Sequence, residues 1–192
     1  MASSRLSKGL LTNRVQRPVP LREGVYEALL ELITRRQLPP GQHLVEHQPT
    51  ESEADQLLAV RALLETESAR LAARNADEAG VARLRELWRE GVEALERAET
   101  DDMVDANADL HARITELSGN AVLAELAGQV ARRVRWYHTL VVRQRGREAW
   151  DEHAAIIDAI EAGDEERAAE LMRLHTDATR RSYHDQAATP ED

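Results

Sequence analysis

Cysteine and phenylalanine are both absent from this chain of 192 residues, and aromatic residues make up only 3% of it. Without cysteine there is no disulfide, no thiolate metal ligand and no cysteine nucleophile. Cysteine usage therefore does not indicate whether the protein resides in an oxidising or a reducing compartment. No apolar run is long enough to span a membrane, and the amino terminus lacks the apolar stretch of a signal peptide. We therefore expect a cytoplasmic protein with no membrane partner.

The composition favours helices and a buried core. Ala, Leu, Glu and Arg recur along the whole chain, with 42% hydrophobic and 31% charged residues, which predicts an all-α fold. A net charge of −10 argues against broad affinity for nucleic acid, because phosphate binding depends on Lys and Arg. Residues 1–20 are the exception, since they carry four basic residues and no acidic ones. We expect them to form a flexible basic arm.

Apolar periodicity and turn residues divide the rest of the chain. A first helix is predicted over residues 21–36, and the sequence Leu38-Pro39-Pro40-Gly41 ends it. Thr50 and Glu53 form a capping box that opens a long helix to about Asn75. Six helices from Thr50 onward, with a break at Arg145-Gly146-Arg147, predict an antiparallel bundle over residues 50–184. A disordered tail is expected over residues 185–192.

Three histidines lie on the apolar faces of three different predicted helices: His111, His153 and His175. Asn107 stands one turn before His111, so both side chains can reach the same point. An unsatisfied buried polar ring costs on the order of 1–3 kcal/mol, and one shared metal ion would satisfy all three rings. Three imidazole nitrogens and an amide oxygen suit zinc, nickel or another borderline divalent cation. Three buried histidines without a metal remain the alternative.

Several segments of the chain match one protein family in the same order. The histidines lie in Asn107-Ala108-Asp109-Leu110-His111, Glu152-His153-Ala154-Ala155-Ile156 and Met172-Arg173-Leu174-His175, and further matches cover residues 20–26, 38–46, 60–65, 117–120 and 159–164. In this order they resemble the GntR family of bacterial transcription regulators, in the FadR-like subfamily with an all-helical FCD effector domain. The first two N-terminal matches are similar to that family's winged-helix domain.

The resemblance implies a metal held by Asn107, His111, His153 and His175, with a small organic acid as the effector. Many members of the family have Asp where this chain has Asn107, and the loss of one negative charge should weaken the binding of a hard cation. The resemblance also implies operator DNA as a partner. Because symmetric operators require two-fold symmetric proteins, we expect a homodimer.

The chain departs from the family pattern between Glu46 and Glu51. Only His47-Gln48-Pro49-Thr50 stands where the family has a recognition helix and a β-hairpin wing. A helix-turn-helix reads DNA through its second helix. Residues 21–49 are therefore interpreted as a remnant of a winged-helix domain, and no DNA-binding residue is assigned. A natural deletion, an engineered deletion and an omitted internal segment all fit this pattern.

Two functions follow from these patterns. The favoured one is a metabolite-responsive transcription regulator, in which Arg61 contacts the effector carboxylate because a guanidinium can donate two hydrogen bonds to it. A surface ion pair with a neighbouring Glu explains Arg61 equally well. Arg132 and Arg135 are further candidates, although a solvated helix face accounts for them too. The alternative function is a metal- or small-molecule-binding dimer that has lost direct DNA binding.

An enzymatic function is disfavoured. No His-Glu-x-x-His pattern occurs, and Glu152 is expected to face solvent because adjacent helical residues point about 100° apart. A metal hydrolase therefore lacks a candidate base, and we predict that the chain is not an enzyme. Trp88, Trp136 and Trp150 are assigned to packing.

Overall fold

A computed structural model describes Leu30, Thr34 and residues 50–187, without the side chains of residues 51, 136–140 and 186–187. The chain divides into two units, residues 1–48 and 49–192. The predicted basic arm lies outside the described residues, as does the winged-helix remnant apart from Leu30 and Thr34. Both of these are helical, and the Thr34 hydroxyl donates to the Leu30 carbonyl at 2.7 Å.

The second unit is built from helices. They are α1 (Glu51–Asn75), α2 (Glu78–Arg97), α3 (Thr100–Leu117), α4 (Ala121–Glu161) and α5 (Glu165–Ala187). Helix α4 contains a break at Gly146, whose φ of 35° and ψ of −119° are not helical. Its two segments bring the number of helical stretches in the described residues after Thr50 to six, as predicted. The described residues form an all-α bundle, and none of their helices is long and apolar enough to cross a membrane.

Short polar side chains and glycines fix where the helices begin and end. The Thr50 hydroxyl accepts from the Glu53 amide, and the Glu53 carboxylate accepts from the Thr50 amide, which completes the predicted capping box. Asp77 accepts from the Gly80 amide at 2.7 Å and so caps α2. Gly163 connects α4 to α5 with a φ of 68°, where an L side chain is strained.

Helix α4 lies at the centre of the bundle, because it packs against each of the other four helices. The largest fully buried side chains of the main core are Leu84, Leu110, Ile114, Trp150, Ile156, Ile157, Ile160 and Met172. Helix α1 contributes only alanines to this core, which are Ala69, Ala72 and Ala73. Small side chains let its backbone approach the neighbouring helices closely.

Two of the three tryptophans have packing roles, as we had assigned. Trp150 is buried in the main core, and Trp88 packs against that core while its indole N–H donates to the Trp150 carbonyl at 2.8 Å. The side chain of Trp136 lies outside the described residues.

The last helix extends further than expected. Tyr183 is buried in a second apolar cluster with Leu58 of α1, and this packing supports α5 beyond residue 184. Helix α5 runs to Ala187, so residues 185–187 of the expected disordered tail are helical. The predicted end of the bundle therefore came three residues too early, and residues 188–192 lie outside the description.

A glycine in α2 allows close packing against the core tryptophan. A Cβ added at Gly91 would lie 1.9 Å from Cη2 of Trp150, so alanine must displace the indole, and overpacking of this kind costs about 1–3 kcal/mol. We expect Gly91→Ala to lower the free energy of unfolding by that amount in urea denaturation. At Gly128 of α4 the nearest atom is 3.6 Å away, so Gly128→Ala should be neutral or stabilising. Equal losses in both variants would contradict this account.

Candidate metal centre

Three imidazoles from three helices converge inside the bundle. Nε2 of His153 lies 3.2 Å from Nε2 of His111 and 3.3 Å from Nε2 of His175. The ligand atoms of all three lie within 4.8 Å of one another, and no ring is more than 6% exposed. The structure therefore brings together the three histidines that the sequence pattern singled out.

Helical periodicity explains why the rings point inward. Each histidine shares a helix face with fully buried apolar side chains, namely Ile114 beside His111, Ile156 and Ile157 beside His153, and Met172 beside His175. Residues three and four apart lie on the same face of a helix. Burial of the aliphatic neighbours therefore carries the imidazoles into the interior with them.

The donor set fits a divalent cation. Zinc binds imidazole nitrogen at 2.0–2.1 Å, which separates two ligands of a tetrahedral site by about 3.3 Å, and the two measured separations agree with that spacing. Burial, followed by the charges of His175 and His111, lowers the pKa of His153 well below its usual value. Burial, followed by His111 and Arg145, does the same to the pKa of His175. Neutral imidazoles are the form that binds a metal.

Asn107, the fourth predicted ligand, is half-buried on α3. It lines a small cavity of about 30 Å³ together with His175, Arg61, Arg145 and Thr179. The structure therefore places Asn107 and His175 on the same cavity, and ligation by Asn107 remains a prediction.

Glu152 is not directed to solvent, and that expectation was wrong. Its Oε2 accepts a hydrogen bond from Nδ1 of His175 at 2.7 Å, and its Oε1 accepts from Arg145 at 2.6 Å. Helical geometry fixes the direction of the Cα–Cβ bond, but the rest of a glutamate side chain can reach the neighbouring helix. Here α5 packs beside α4, and Glu152 spans the gap between them.

A second carboxylate, which the sequence analysis also missed, lies beside His111. Oε2 of Glu65 is 3.1 Å from Nδ1 of His111, although the two atoms are not aligned for a hydrogen bond. Burial alone would raise the pKa of Glu65, but the Arg61 charge and then His111 hold it far below its usual range. Glu65 is therefore an anion at neutral pH.

Arg61 forms an ion pair with a neighbouring glutamate, as the alternative interpretation of this residue expected. The pair lies in the protein interior and not on the surface. Its Nε donates to Oε1 of Glu65 at 2.7 Å, and the arginine is 4% exposed. An i,i+4 spacing on α1 gave a signal for the pair. Its burial could not be predicted from that spacing, because burial depends on packing against other helices.

A larger cavity of about 320 Å³ lies next to the histidine cluster. His111, Glu65 and the three arginines selected from the sequence, Arg61, Arg132 and Arg135, all line it, with small residues of α4 such as Gly128. Arg132 and Arg135 are exposed, and Arg135 also pairs with Asp105. The structure thus brings together on one cavity all three candidate effector-binding arginines and one histidine of the cluster.

Residues 56–178 match the FCD domain family. The chain belongs to that family. Its fold is similar to that of E. coli McbR/YncC, with a TM-score of 0.68 and 20% identity over 89% of this chain and 88% of that one. It is also similar to Streptococcus agalactiae GntR, with a TM-score of 0.62 and 19% identity over 83% and 82% of the two chains.

A third similar structure is that of Lar, described as controlling expression of the Listeria monocytogenes agr system and mediating virulence. Its TM-score is 0.60, with 13% identity over 88% of this chain and 99% of that chain. No curated protein matches the sequence significantly. The FCD match confirms the resemblance to FCD-containing GntR regulators, so the chain is a transcription regulator with an effector-binding domain and not an enzyme.

The histidine centre predicts that the metal-free protein loses stability in mild acid. His153 and His175 stay neutral when folded, because their pKa values lie well below 6.5, but they take up protons below about pH 6.5 when unfolded. Since the unfolded chain binds more protons, stability falls as the pH falls through this window, by up to about 1 kcal/mol per pH unit and ring. Urea denaturation with a chelator between pH 7.5 and 5 measures this.

The matched variant for that titration is His153→Gln. It removes one of the two rings with a lowered pKa and should therefore give a shallower dependence on pH. A wild-type free energy of unfolding that is flat from pH 7.5 to 5 would contradict the burial of neutral rings.

Proposed function

We propose that the FCD domain of this chain binds zinc or nickel through His111, His153 and His175, with Asn107 as the fourth ligand. A small organic acid binds in the adjacent cavity of about 320 Å³, and its binding controls the interaction of a cytoplasmic homodimer with operator DNA. The observation that carries the proposal is the convergence of three Nε2 atoms beside a cavity lined by three arginines.

The cavity suits a small acid in size and charge. Its volume lies at the lower end of the range for small-molecule sites. A bound divalent cation would supply a coordination position for a carboxylate oxygen. Arg61 is fixed next to His111 by its ion pair with Glu65. Arg132 and Arg135 add positive charge on the exposed side, where they attract an anion.

A second candidate function is a dimer that binds a metal or small molecule without contacting DNA. It is favoured by the four residues His47-Gln48-Pro49-Thr50, which stand where the family has its recognition helix. Mobility-shift assays with genomic DNA fragments separate the two functions. A specific shift supports the regulator, whereas effector and metal binding without any specific shift supports the second candidate.

The metal site predicts that His153→Ala loses metal binding while the helical fold survives. Nε2 of His153 lies 3.2 Å from Nε2 of His111 and 3.3 Å from Nε2 of His175, so it is in contact with both other ligands. Wild-type protein should bind one zinc per chain in calorimetry, and zinc at 100 times its dissociation constant should raise the free energy of unfolding by about 2.7 kcal/mol. The variant should show neither effect.

The control for this experiment is His184→Ala. His184 lies on α5 but contacts Asp55 rather than the cluster, so its removal should leave zinc binding intact. Unchanged zinc binding by His153→Ala would exclude this site.

The proposed effector cavity predicts that substitutions of two adjacent arginines differ in their effect on the binding of an organic acid. Arg132 lines the cavity, whereas the neighbouring Arg133 is exposed outside it. Calorimetry of zinc-loaded protein with citrate and succinate identifies the tighter ligand. Arg132→Gln should weaken its binding about 10-fold, which corresponds to about 1.4 kcal/mol. Arg133→Gln should change it less than twofold, and equal effects of both variants would contradict binding in this cavity.

A further inference from the structure

We propose that Glu152 is a positioning residue for the metal centre, and that the break in α4 at Gly146 holds it in place. By accepting the proton on Nδ1 of His175, Glu152 keeps the Nε2 of that ring unprotonated and directed at the other histidines. This inference rests on the proposed metal site and extends it to residues outside the ligand set.

The hydrogen bond between His175 and Glu152 fixes the tautomer of the ring. A carboxylate oxygen accepts and does not donate, so a separation of 2.7 Å between Oε2 and Nδ1 requires the proton on Nδ1. The lone pair is then on Nε2, which lies 3.3 Å from Nε2 of His153. In the other tautomer an N–H would point into the cluster and exclude a metal from that nitrogen.

The other two histidines are less firmly oriented. Nδ1 of His153 is buried without a hydrogen-bond partner among the described residues. Nδ1 of His111 lies 3.1 Å from Glu65 but is not aligned for a hydrogen bond. His175 is therefore the ring whose orientation depends most directly on a carboxylate partner. Such outer partners commonly change metal affinity 10- to 100-fold when removed.

Glu152 is itself held by a buried arginine. Arg145, 5% exposed, donates to Oε1 of Glu152 at 2.6 Å and to the Thr179 hydroxyl at 2.6 Å. It also donates to the backbone carbonyl of His175 at 3.4 Å. Arg145, Glu152 and His175 therefore form a closed set of contacts between α4 and α5, and Glu152 has little freedom to turn away from the ring.

The break in α4 lies between two members of this set of contacts. Arg145 and Glu152 are seven residues apart, the same spacing at which Arg83 and Glu90 pair at 3.0 Å in the unbroken helix α2. Gly146 lies between them with a φ of 35°, a conformation that L side chains rarely adopt. The ion pair therefore bridges the break, and the geometry at Gly146 sets the position of Glu152.

The first test reads the tautomer of His175 in metal-free protein by ¹⁵N NMR. Wild-type protein should carry the proton on Nδ1, and Glu152→Ala should shift the ring toward the Nε2-protonated form. Glu152→Gln, which keeps an acceptor oxygen, should give a smaller change. It is the test variant to use if Glu152→Ala folds poorly. Asp151→Asn, an exposed neighbour, is the control and should have no effect. Protonation of wild-type His175 on Nε2 would overturn the proposal.

The second test measures zinc affinity by competition with a chromophoric chelator. Glu152→Ala should bind zinc about 10- to 100-fold more weakly, Glu152→Gln should fall between it and wild type, and Asp151→Asn should stay within twofold. Affinities of both Glu152 variants within twofold of wild type would overturn the positioning role.

The break is tested with a pair of glycine variants. Gly146 and Gly163 both have positive φ, and the nearest atoms to an added Cβ are 3.6 and 3.7 Å away. Gly146→Ala and Gly163→Ala should therefore both lose stability through backbone strain. Only Gly146→Ala should also change the His175 tautomer and weaken zinc binding. Equal effects of the two variants on zinc binding would show that the break has no specific role.

These readouts separate this inference from the proposed function. If wild-type protein binds no zinc, the proposed metal site is wrong, while the tautomer of His175 still reports whether Glu152 orients it. If zinc binds to wild-type protein and is lost in His153→Ala, but the Glu152 variants match wild type, only the positioning role is wrong.

Discussion

The candidate metal centre of this bundle depends on the burial of three imidazoles at one point. A buried imidazole is stable when it is neutral, and its two nitrogens need partners. The low pKa values of His153 and His175 meet the first condition. The carboxylate of Glu152 provides a hydrogen-bond partner for Nδ1 of His175. The converging Nε2 atoms of the three rings would find their partner in a shared ligand. The remaining buried charges are arranged around these rings.

The charged side chains next to these rings cancel one another. Arg61 pairs with Glu65 and Arg145 with Glu152, so two cations face two anions around the cluster. The neutral amide of Asn107 adds no charge, and the lowered pKa values of His153 and His175 keep those two rings neutral. A divalent cation at this point would therefore bring two uncompensated positive charges. An anionic effector in the neighbouring cavity would balance them, which gives a physical reason for coupling between metal and acid.

The sequence predicted the fold and the inward-facing histidines because both follow from local spacing. Apolar residues three and four apart define the buried faces, and His111, His153 and His175 lie on them. The roles of Glu65 and Glu152 could not be predicted in the same way. Glu152 reaches His175 only because α5 packs beside α4, and no spacing within one helix encodes that contact. The extent of α5 was missed for the same reason, since Tyr183 packs against residues more than 100 positions earlier.

The contact between the two ends of the bundle has a further consequence. Arg180 and His184 near the end of α5 both contact Asp55, at the start of α1. Hydrogen bonds from these two residues hold the pKa of Asp55 at about 2, against the opposing effect of burial, so its stabilising contribution is lost only as the pH falls below about 4 toward 2. The histidine centre responds at a higher pH, below about 6.5. As the pH falls, protonation of the unfolded chain at the buried histidines therefore lowers the stability of the protein first. The contacts of Asp55, which join the start of α1 to the end of α5, are still in place at that pH.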